Sequence, residues 1–287
     1  YYAGCENAYN TQIGYLASTT GNIYGVYDMN GGSYEYVMAN MVEKGEQKPN
    51  MPVIKALGAY LTQKGLDKAF IARAIALPTE EDLYDKADIV NMHKIKVVRQ
   101  MMRQAFALAF EKELLKVYKS NNLKGDYTPD NASFAARSIK NMALGYLALT
   151  NHRDLVYKQF KTANNLTDRL SALSILVNNN LPEAEKALKK FYQMYEMDDL
   201  VLNKWFAVQA RNISINTLET VKNLITHPKF DYKNPNKVRG LLGAFAGNLA
   251  SFNTPEGYDF YAKECLKIDK INPHLAARLF TAFAKYR

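Results

Sequence analysis

The sequence predicts an all-α protein, a superhelical, α-solenoid-like array of antiparallel helix pairs, preceded by a short Tyr/Gly-rich, β-prone N-terminal segment. The first observation behind this prediction is that apolar residues recur, from residue 51 onward, at the spacing of amphipathic helices. The second is that short polar connections join these stretches, which places successive helices antiparallel. No strict repeat period is visible, so the pattern indicates no particular repeat consensus.

The N-terminal segment differs in composition from the rest of the chain. Residues 1–40 hold eight of the 20 tyrosines and six of the 15 glycines, but no Lys or Arg. Short β-favouring runs such as SYEYVMA alternate there with turn signals, and Asn30-Gly31 predicts a tight turn. We therefore predict two parts, residues 1–44 and the helical residues 45–287, with a linker within VEKGEQKPNMP.

Part of this segment resembles another family over a short stretch. The thirteen residues GVYDMNGGSYEYV are similar to a signature of the formylglycine-generating sulfatase-modifying family. The segment lacks the catalytic cysteines of that family. The resemblance therefore implies no activity for this chain.

Prolines, glycines and capping residues set the expected limits of the first helices. One helix begins near Pro52 and stops at Gly65, and the next ends at Pro78. Thr79 is expected to cap a third helix, because acidic residues fill the turn that follows it. Apolar residues at i, i+3 and i+4 then continue from residue 88 to residue 121, which predicts a long helix with one break.

The remaining helices follow at short intervals. Thr128 and Pro129 are expected at the cap and first turn of the next one, and Pro182 opens a later one. The other helical segments read HRDLVYKQFKTA, LTDRLSALSILV, DLVLNKWFAVQA, INTLETVKNLITH, NKVRGLLGAFAG, PEGYDFYAKECLKI and HLAARLFTAFAKYR. The rings of Phe191, Tyr192 and Tyr195 lie on one helix face, which favours core packing over a platform for bases.

Composition and motifs exclude several classes of function. The formal net charge is +9, yet the lysines are spread over nearly every helix, so we expect solvated faces and no nucleic-acid partner. No signal peptide or long apolar run is present, which predicts a cytoplasmic protein without a membrane partner. Cys5 and Cys265 follow no metal-ligand spacing and fit a reducing compartment.

The residue types that usually carry catalysis are not arranged for it here. The four histidines form no HExxH motif and lie near no second ligand at a suitable spacing, and no nucleophile or phosphate-loop motif occurs. His227 precedes Pro228 at a helix end, where a capping contact is expected. We therefore expect no catalytic residue, no metal site and no cofactor in this chain.

Three long stretches carry a resemblance to a known family. They read KQFKTANNLTDRLSALSILVNNNLPE, LVLNKWFAVQA and HPKFDYKNPNKVRGLLGAFAGN, and they are similar to the C-terminal helical domain of the bacterial aminopeptidase N family of zinc metallopeptidases. ARAIALPTEEDLYD and INPHLAARLF extend the similarity to about residues 45–287. The match to three motifs in the order of the family makes the resemblance specific.

The resemblance implies a role without chemistry of its own. In that family the zinc ligands, the segment that binds the amino end of the peptide and the transition-state tyrosine lie in a preceding catalytic domain. This chain would be the terminal helical domain, truncated at its C-terminus and inactive alone. It would enclose the active-site chamber and restrict peptide access, with the catalytic domain as its partner, peptides as substrates of the full enzyme, and zinc held in that other domain.

The resemblance also implies which residues line the substrate channel. The arginines of the family's NPNxxR turn and of its NPxxAxR segment face the catalytic cleft and correspond to Arg239 and Arg278, with Asn236 and His274 beside them. An arginine at a helix start opposes the macrodipole, so Arg239 is expected to face a carboxylate or a partner domain. The alternative is a salt bridge within the domain, to Asp259 or Glu256.

Two departures from the family pattern affect these positions. His274 replaces a common Gln, which adds sensitivity to pH, and Asn203 replaces the Asp of a DKWF segment.

A second function remains open at this point. An α-solenoid scaffold could bind a protein or nucleic acid through a basic concave face, and it would then show steeply salt-dependent binding to DNA.

Overall fold

The computed structural model describes residues 33–87, 90–123, 125–213 and 216–285, and all regular structure within these ranges is helical. The prediction of an all-α protein is thereby confirmed. The chain divides into two compact units, one ending at Asp168 and the other beginning at Arg169. The predicted turn at Asn30-Gly31 lies outside the described residues.

The first unit contains eight helices within its described residues. They are α1 (Ser33–Lys44), α2 (Met51–Ala59), α3 (Lys68–Ala74), α4 (Glu80–Lys86), α5 (Met92–Ala109), α6 (Glu111–Ser120), α7 (Asn131–Leu147) and α8 (Asp154–Thr162). Helix α9 (Leu166–Asn178) begins at the end of this unit and belongs mostly to the second one.

Helix α1 contradicts the β-prone interpretation of SYEYVMA. Met38, Met41 and Val42 are buried at helical spacing, and α1 packs against α4 and α5. Burial of this apolar face outweighs the local β propensity of the tyrosines, because β propensity mainly reflects side-chain packing and changes with context. The division into residues 1–44 and 45–287 stays a prediction.

The segment of residues 75–78, between α3 and α4, is held by side chains from three other helices. Its backbone carbonyls accept hydrogen bonds from Tyr146 Oη (2.6 Å, to Ile75), Tyr34 Oη (3.1 Å, to Ala76) and Arg99 Nε (2.7 Å, to Pro78). Thr79 then caps α4 through a reciprocal capping box with Asp82, as predicted. Because buried carbonyls need partners, these bonds fix the path of an irregular segment.

Two other expectations are refined by the structure. The long helical stretch is broken once, as predicted, at Phe110. The ring of Phe110 packs against Gly58, and a Cβ added to Gly58 would lie 1.9 Å from that ring. The expected cap at Thr128 is wrong. Asp130 caps α7 instead, since its carboxylate accepts from the backbone N–H of Ser133 at 2.8 Å.

A buried ion pair also stabilises the first unit. Lys140 Nζ lies 2.5 Å from Oδ2 of Asp168, and both side chains are almost fully buried. Asn141 and Asn165 donate further hydrogen bonds to the same carboxylate, at 2.9 and 3.1 Å. Buried charges are tolerated when they are paired and hydrogen-bonded in this way.

The second unit continues the helical pattern. After α9 come α10 (Ala184–Tyr195), α11 (Asp199–Ala210), α12 (Thr217–Leu224), α13 (Pro235–Val238), a π-helical turn (Arg239–Gly243), α14 (Ala244–Ala246), α15 (Leu249–Phe252), α16 (Pro255–Asp269), α17 (Pro273–Phe280) and a closing 3₁₀ turn (Thr281–Lys285). Phe191, Phe206 and Phe245 are fully buried in its core.

Candidate functional site

The second unit carries a concavity of about 870 Å³, which we call the basic concavity. Its walls come from α9, α11 and the turn that joins α13 to the π-helical turn. The lining residues are Leu170, Ser174, Asn178, Leu200, Asn203, Lys204, Ala207, Val208, Arg211, Asn236 and Arg239. This volume lies within the range of small-molecule and peptide sites.

The start of α13 is fixed by a capping asparagine and a proline. Asn234 Oδ1 accepts from the backbone N–H groups of Asn236 and Lys237, at 3.0 and 3.4 Å, and Pro235 occupies the first turn. The helix then widens into the π-helical turn at Arg239. Single π-helical turns inside helices occur frequently at functional sites.

A glycine brings this turn against α11. A Cβ added to Gly240 would lie 3.1 Å from the backbone oxygen of Asn203 and 3.2 Å from its Cβ. The absence of a side chain at residue 240 therefore lets the two backbones approach closely. This approach places Asn203 and Arg239 in the same concavity.

The two cations of the NPNKVR turn have different environments. Lys237 is buried, and its Nζ donates to Asp199 Oδ1 at 2.7 Å and to the carbonyl of Lys229 at 2.8 Å. The hydrogen bond from Lys237 lowers the pKa of Asp199. Arg239 is exposed and makes a single long hydrogen bond of 3.5 Å to Asn236 Oδ1. Lys237 is thus a structural residue, whereas Arg239 presents its guanidinium to the concavity.

The alternative of an internal salt bridge at Arg239 is wrong. Within the described part of the chain Arg239 has no ion pair, and Asp259 pairs with Lys263 at 2.6 Å on its own helix. Glu256 has no ion pair with Arg239 either. The charge of Arg239 is therefore compensated by no carboxylate of the described residues.

Three cations line the basic concavity, namely Lys204, Arg211 and Arg239, and no carboxylate is among its described lining residues. All three are exposed, and none forms an ion pair in the ranges that the structure covers. The side-chain oxygen of Asn203 is buried beside them and accepts no hydrogen bond from the described residues. The concavity thus combines positive charge with an unsatisfied acceptor.

The predicted channel residues fall into two groups. Asn236 and Arg239 line the basic concavity together. His274 and Arg278 lie on α17, four residues apart and both exposed, but they are not among its lining residues. Their assignment to a substrate channel stays a prediction.

Sequence reasoning missed two of the three cations. Lys204 lies on α11 and Arg211, seven residues later, is its C-cap residue, with Ala207 and Val208 between them on the same wall. That i, i+3, i+4, i+7 spacing was visible in the sequence. It could have marked one face of α11, but only the fold brings this face to Arg239.

An aromatic cluster supports α11 from its other side. The His227 ring lies 5.2 Å from Tyr192 and 5.5 Å from Trp205, and Trp205 Nε1 donates to the carbonyl of Leu188 at 3.0 Å. His227 Nδ1 accepts from the backbone N–H of Lys229 at 3.1 Å, a contact within the turn after α12, and the predicted capping contact to a helix carbonyl is not among the hydrogen bonds of its ring with the described residues. Burial lowers the pKa of His227.

Two features of the described residues bear on other functions. No group of three or more His, Cys, Asp or Glu side chains among these residues could hold a metal ion. None of the described helices combines the length and apolar character needed to cross a membrane. The expectation of no metal and no membrane partner stays a prediction.

Comparison with known proteins identifies relatives over most of the chain. A family model described as a domain of unknown function, DUF3458_C ARM repeats, matches residues 27–287. Aminopeptidase N of Escherichia coli K12 is 34% identical over 253 residues, covering 85% of this chain and 29% of that protein. Aminopeptidase N of Haemophilus influenzae is 32% identical over 249 residues, covering 85% and 28%.

A solved structure is similar as well. The crystal structure of Legionella pneumophila aminopeptidase A in complex with aspartic acid matches with a TM-score of 0.81 and 30% identity, covering 90% of this chain and 32% of that one. The chain thus spans under a third of the length of these relatives. It corresponds to their C-terminal portion.

Proposed function

Because the chain belongs to the DUF3458_C family of ARM-repeat domains, we propose that it serves as the C-terminal domain of a zinc aminopeptidase, enclosing the active-site chamber and restricting peptide access. The matched aminopeptidases are more than three times as long as the aligned region, which leaves room for a catalytic domain elsewhere. That catalytic domain would be the principal partner of this chain. Peptides would be its substrates, and the enzyme would be cytoplasmic.

The observation that carries this proposal is the position of Arg239. Arg239 begins a π-helical turn in a chain that belongs to the family. Its guanidinium lines the basic concavity and forms no ion pair with the described residues. A guanidinium whose charge is compensated by no described carboxylate is available to a substrate or to a neighbouring domain. Arg278 and His274 would add a second polar strip on α17 to the chamber wall.

The proposal assigns the metal chemistry to the catalytic domain and the contacts with the rest of the peptide to this chain. Zinc in the catalytic domain would supply the activated water for release of N-terminal residues. The side chains of this chain would bind and orient the part of the peptide beyond the cleaved bond. Binding energy from such remote contacts raises turnover when it positions the reacting bond.

The scaffold alternative has less support. A surface for single-stranded nucleic acid usually offers aromatic rings on which bases stack, and no aromatic side chain is among the described residues that line the basic concavity. The matched relatives are peptidases. We therefore retain the scaffold as an outcome to be tested.

The proposal is tested by assaying the purified chain with zinc added. We expect no hydrolysis of aminoacyl-p-nitroanilides and no zinc retained after dialysis, as measured by elemental analysis. Aminopeptidase N of E. coli, assayed in parallel, provides the positive control. Turnover by this chain that disappears with a chelator and returns with zinc would overturn the proposal.

A further inference from the structure

We propose that the basic concavity binds acidic peptide segments, with Lys204, Arg211 and Arg239 contacting their carboxylates. Applied to the full enzyme, this inference names acidic peptides as a substrate class, and in that respect it rests on the proposed function. The binding itself is a property of this chain, so it can be measured without a catalytic domain.

The charged side chains of the basic concavity are all of one sign among its described lining residues. The concavity presents three cations and no carboxylate among its described lining residues, although Lys and Glu or Asp side chains pair elsewhere in the unit, as at Lys222 and Glu219. Two of the three cations are arginines, whose planar forks match the geometry of a carboxylate. Concave surfaces of one charge concentrate ligands of the opposite charge.

Asn203 supplies a hydrogen-bond acceptor that has no donor among the described residues. Asn203 Oδ1 is buried at the edge of this charge cluster and lacks a hydrogen-bond partner among the described residues. A buried acceptor without a partner is unfavourable, and a ligand that supplies an N–H group removes this cost. The backbone N–H groups of a peptide are such donors, whereas a simple anion has none.

The apolar part of the wall favours a peptide over a single-stranded nucleic acid. Leu170, Ala207 and Val208 provide apolar wall between the cations, and Leu200 is an exposed apolar residue at its rim. Peptide sites combine apolar walls with a few polar groups in this way. The bases of single-stranded nucleic acid usually stack on aromatic side chains, and the described lining residues include none.

The test measures binding of a fluorescent, Glu-rich peptide to the purified chain by anisotropy, with a Gln-for-Glu peptide as the neutral twin. We expect the acidic peptide to bind at least about tenfold more tightly at low salt, and the difference to shrink as salt screens the charges. The double variant Lys204→Glu, Arg211→Glu should lose this preference.

A matched control variant separates the site from net charge. Lys190 and Lys270 are exposed, have no ion pair in the described part and lie outside the concavity, so Lys190→Glu with Lys270→Glu changes the net charge equally. We expect it to weaken acidic-peptide binding less than about threefold, since exposed charges beyond a Debye length are screened. Circular dichroism and thermal unfolding should show that both double variants are folded.

Several results would overturn this inference. They are equal binding of the acidic and neutral peptides, equal losses in the two double variants, and tighter binding of single-stranded DNA than of the acidic peptide. Failure here leaves the role in an aminopeptidase standing, because a chamber wall need not prefer acidic segments. Conversely, zinc-dependent turnover by the chain alone would overturn that role without affecting this binding.

Discussion

At the scale of single residues, the NPNKVR turn separates a structural cation from an available one. Lys237 and Arg239 are two positions apart, yet one is buried with two hydrogen bonds and the other is exposed with one long contact. Only the carboxylate of Asp199 and the carbonyl of Lys229 make the difference.

This contrast predicts different costs for the same substitution. Lys237→Ala should lower the free energy of unfolding by about 2–3 kcal/mol, because it removes a charge-assisted hydrogen bond and leaves the Lys229 carbonyl without its partner. Arg239→Ala should change it by less than about 0.5 kcal/mol, as expected for an exposed residue. Urea unfolding of both variants measures the difference, and equal losses would contradict these assignments.

His227 predicts a dependence of stability on pH. Its folded-state pKa lies below the usual value near 6.5, mainly because of burial and secondarily because Lys229 and Lys237 are close. The neutral imidazole is thus favoured by folding, so the stability that it contributes is present above about pH 6.5 and is lost as pH falls through the lowered pKa.

Unfolding at several pH values measures this effect. The wild-type chain should lose more stability between about pH 7.5 and about pH 5.5 than His227→Asn, whose side chain cannot gain a proton in this window but can still accept from Lys229. The difference between the two slopes removes the contribution of carboxylates shared by both proteins. Parallel slopes would show that His227 titrates alike in the folded and unfolded states.

Residue roles were only partly predictable from the sequence. The cap at Thr79 follows from a local pattern and is observed. The burial of Lys237 was not foreseen, because it depends on Asp199, 38 positions away. Long-range pairs of this kind leave no periodic signal in one sequence.

At the scale of elements, a glycine in the first turn of α16 predicts strong sensitivity to substitution. A Cβ on Gly257 would lie 2.4 Å from the backbone oxygen of Ser251 and 2.6 Å from that of Phe252. Backbone atoms cannot move aside as a flexible side chain can. Gly257→Ala should therefore lower the free energy of unfolding by about 1–3 kcal/mol.

Gly145 provides the matched control in the interior of α7, where an added Cβ meets nothing within 4 Å. Gly145→Ala should be neutral or stabilise the protein by up to about 1 kcal/mol, because alanine has the higher helix propensity. Thermal unfolding of the two variants gives the comparison. A Gly257→Ala protein as stable as Gly145→Ala would contradict the packing described for α16.

Helices as elements were largely predictable, and their interruptions were not. The cap at Thr79 located α4, and amphipathic spacing located the body of α7 and the break between α5 and α6, although the predicted cap of α7 was wrong. Helix α1 was misjudged, since its tyrosines favour strands locally while its buried methionines require a helix in the folded unit. The π-helical turn at Arg239 has no sequence signature apart from its glycines.

At the scale of the whole molecule, the sequence predicted the fold class and the family, but not the repeat class. The family description gives ARM repeats, whereas no period was visible. Helix lengths among the described residues range from 3 residues in α14 to 18 in α5, which obscures any fixed spacing. The family motifs located Arg239 and Asn236, whereas Lys204 and Arg211 were missed because only tertiary packing groups them.

The most direct test of the account places this chain beside a catalytic domain. The matched C-terminal segment of E. coli aminopeptidase N would be replaced by residues 27–287, and the chimera would be compared with its Arg239→Glu variant. If the basic concavity faces the chamber, kcat/KM should fall about tenfold for peptides long enough to reach it and stay unchanged for an aminoacyl-p-nitroanilide. An unchanged kcat/KM for long peptides, or an equal loss for both substrates, would contradict the account.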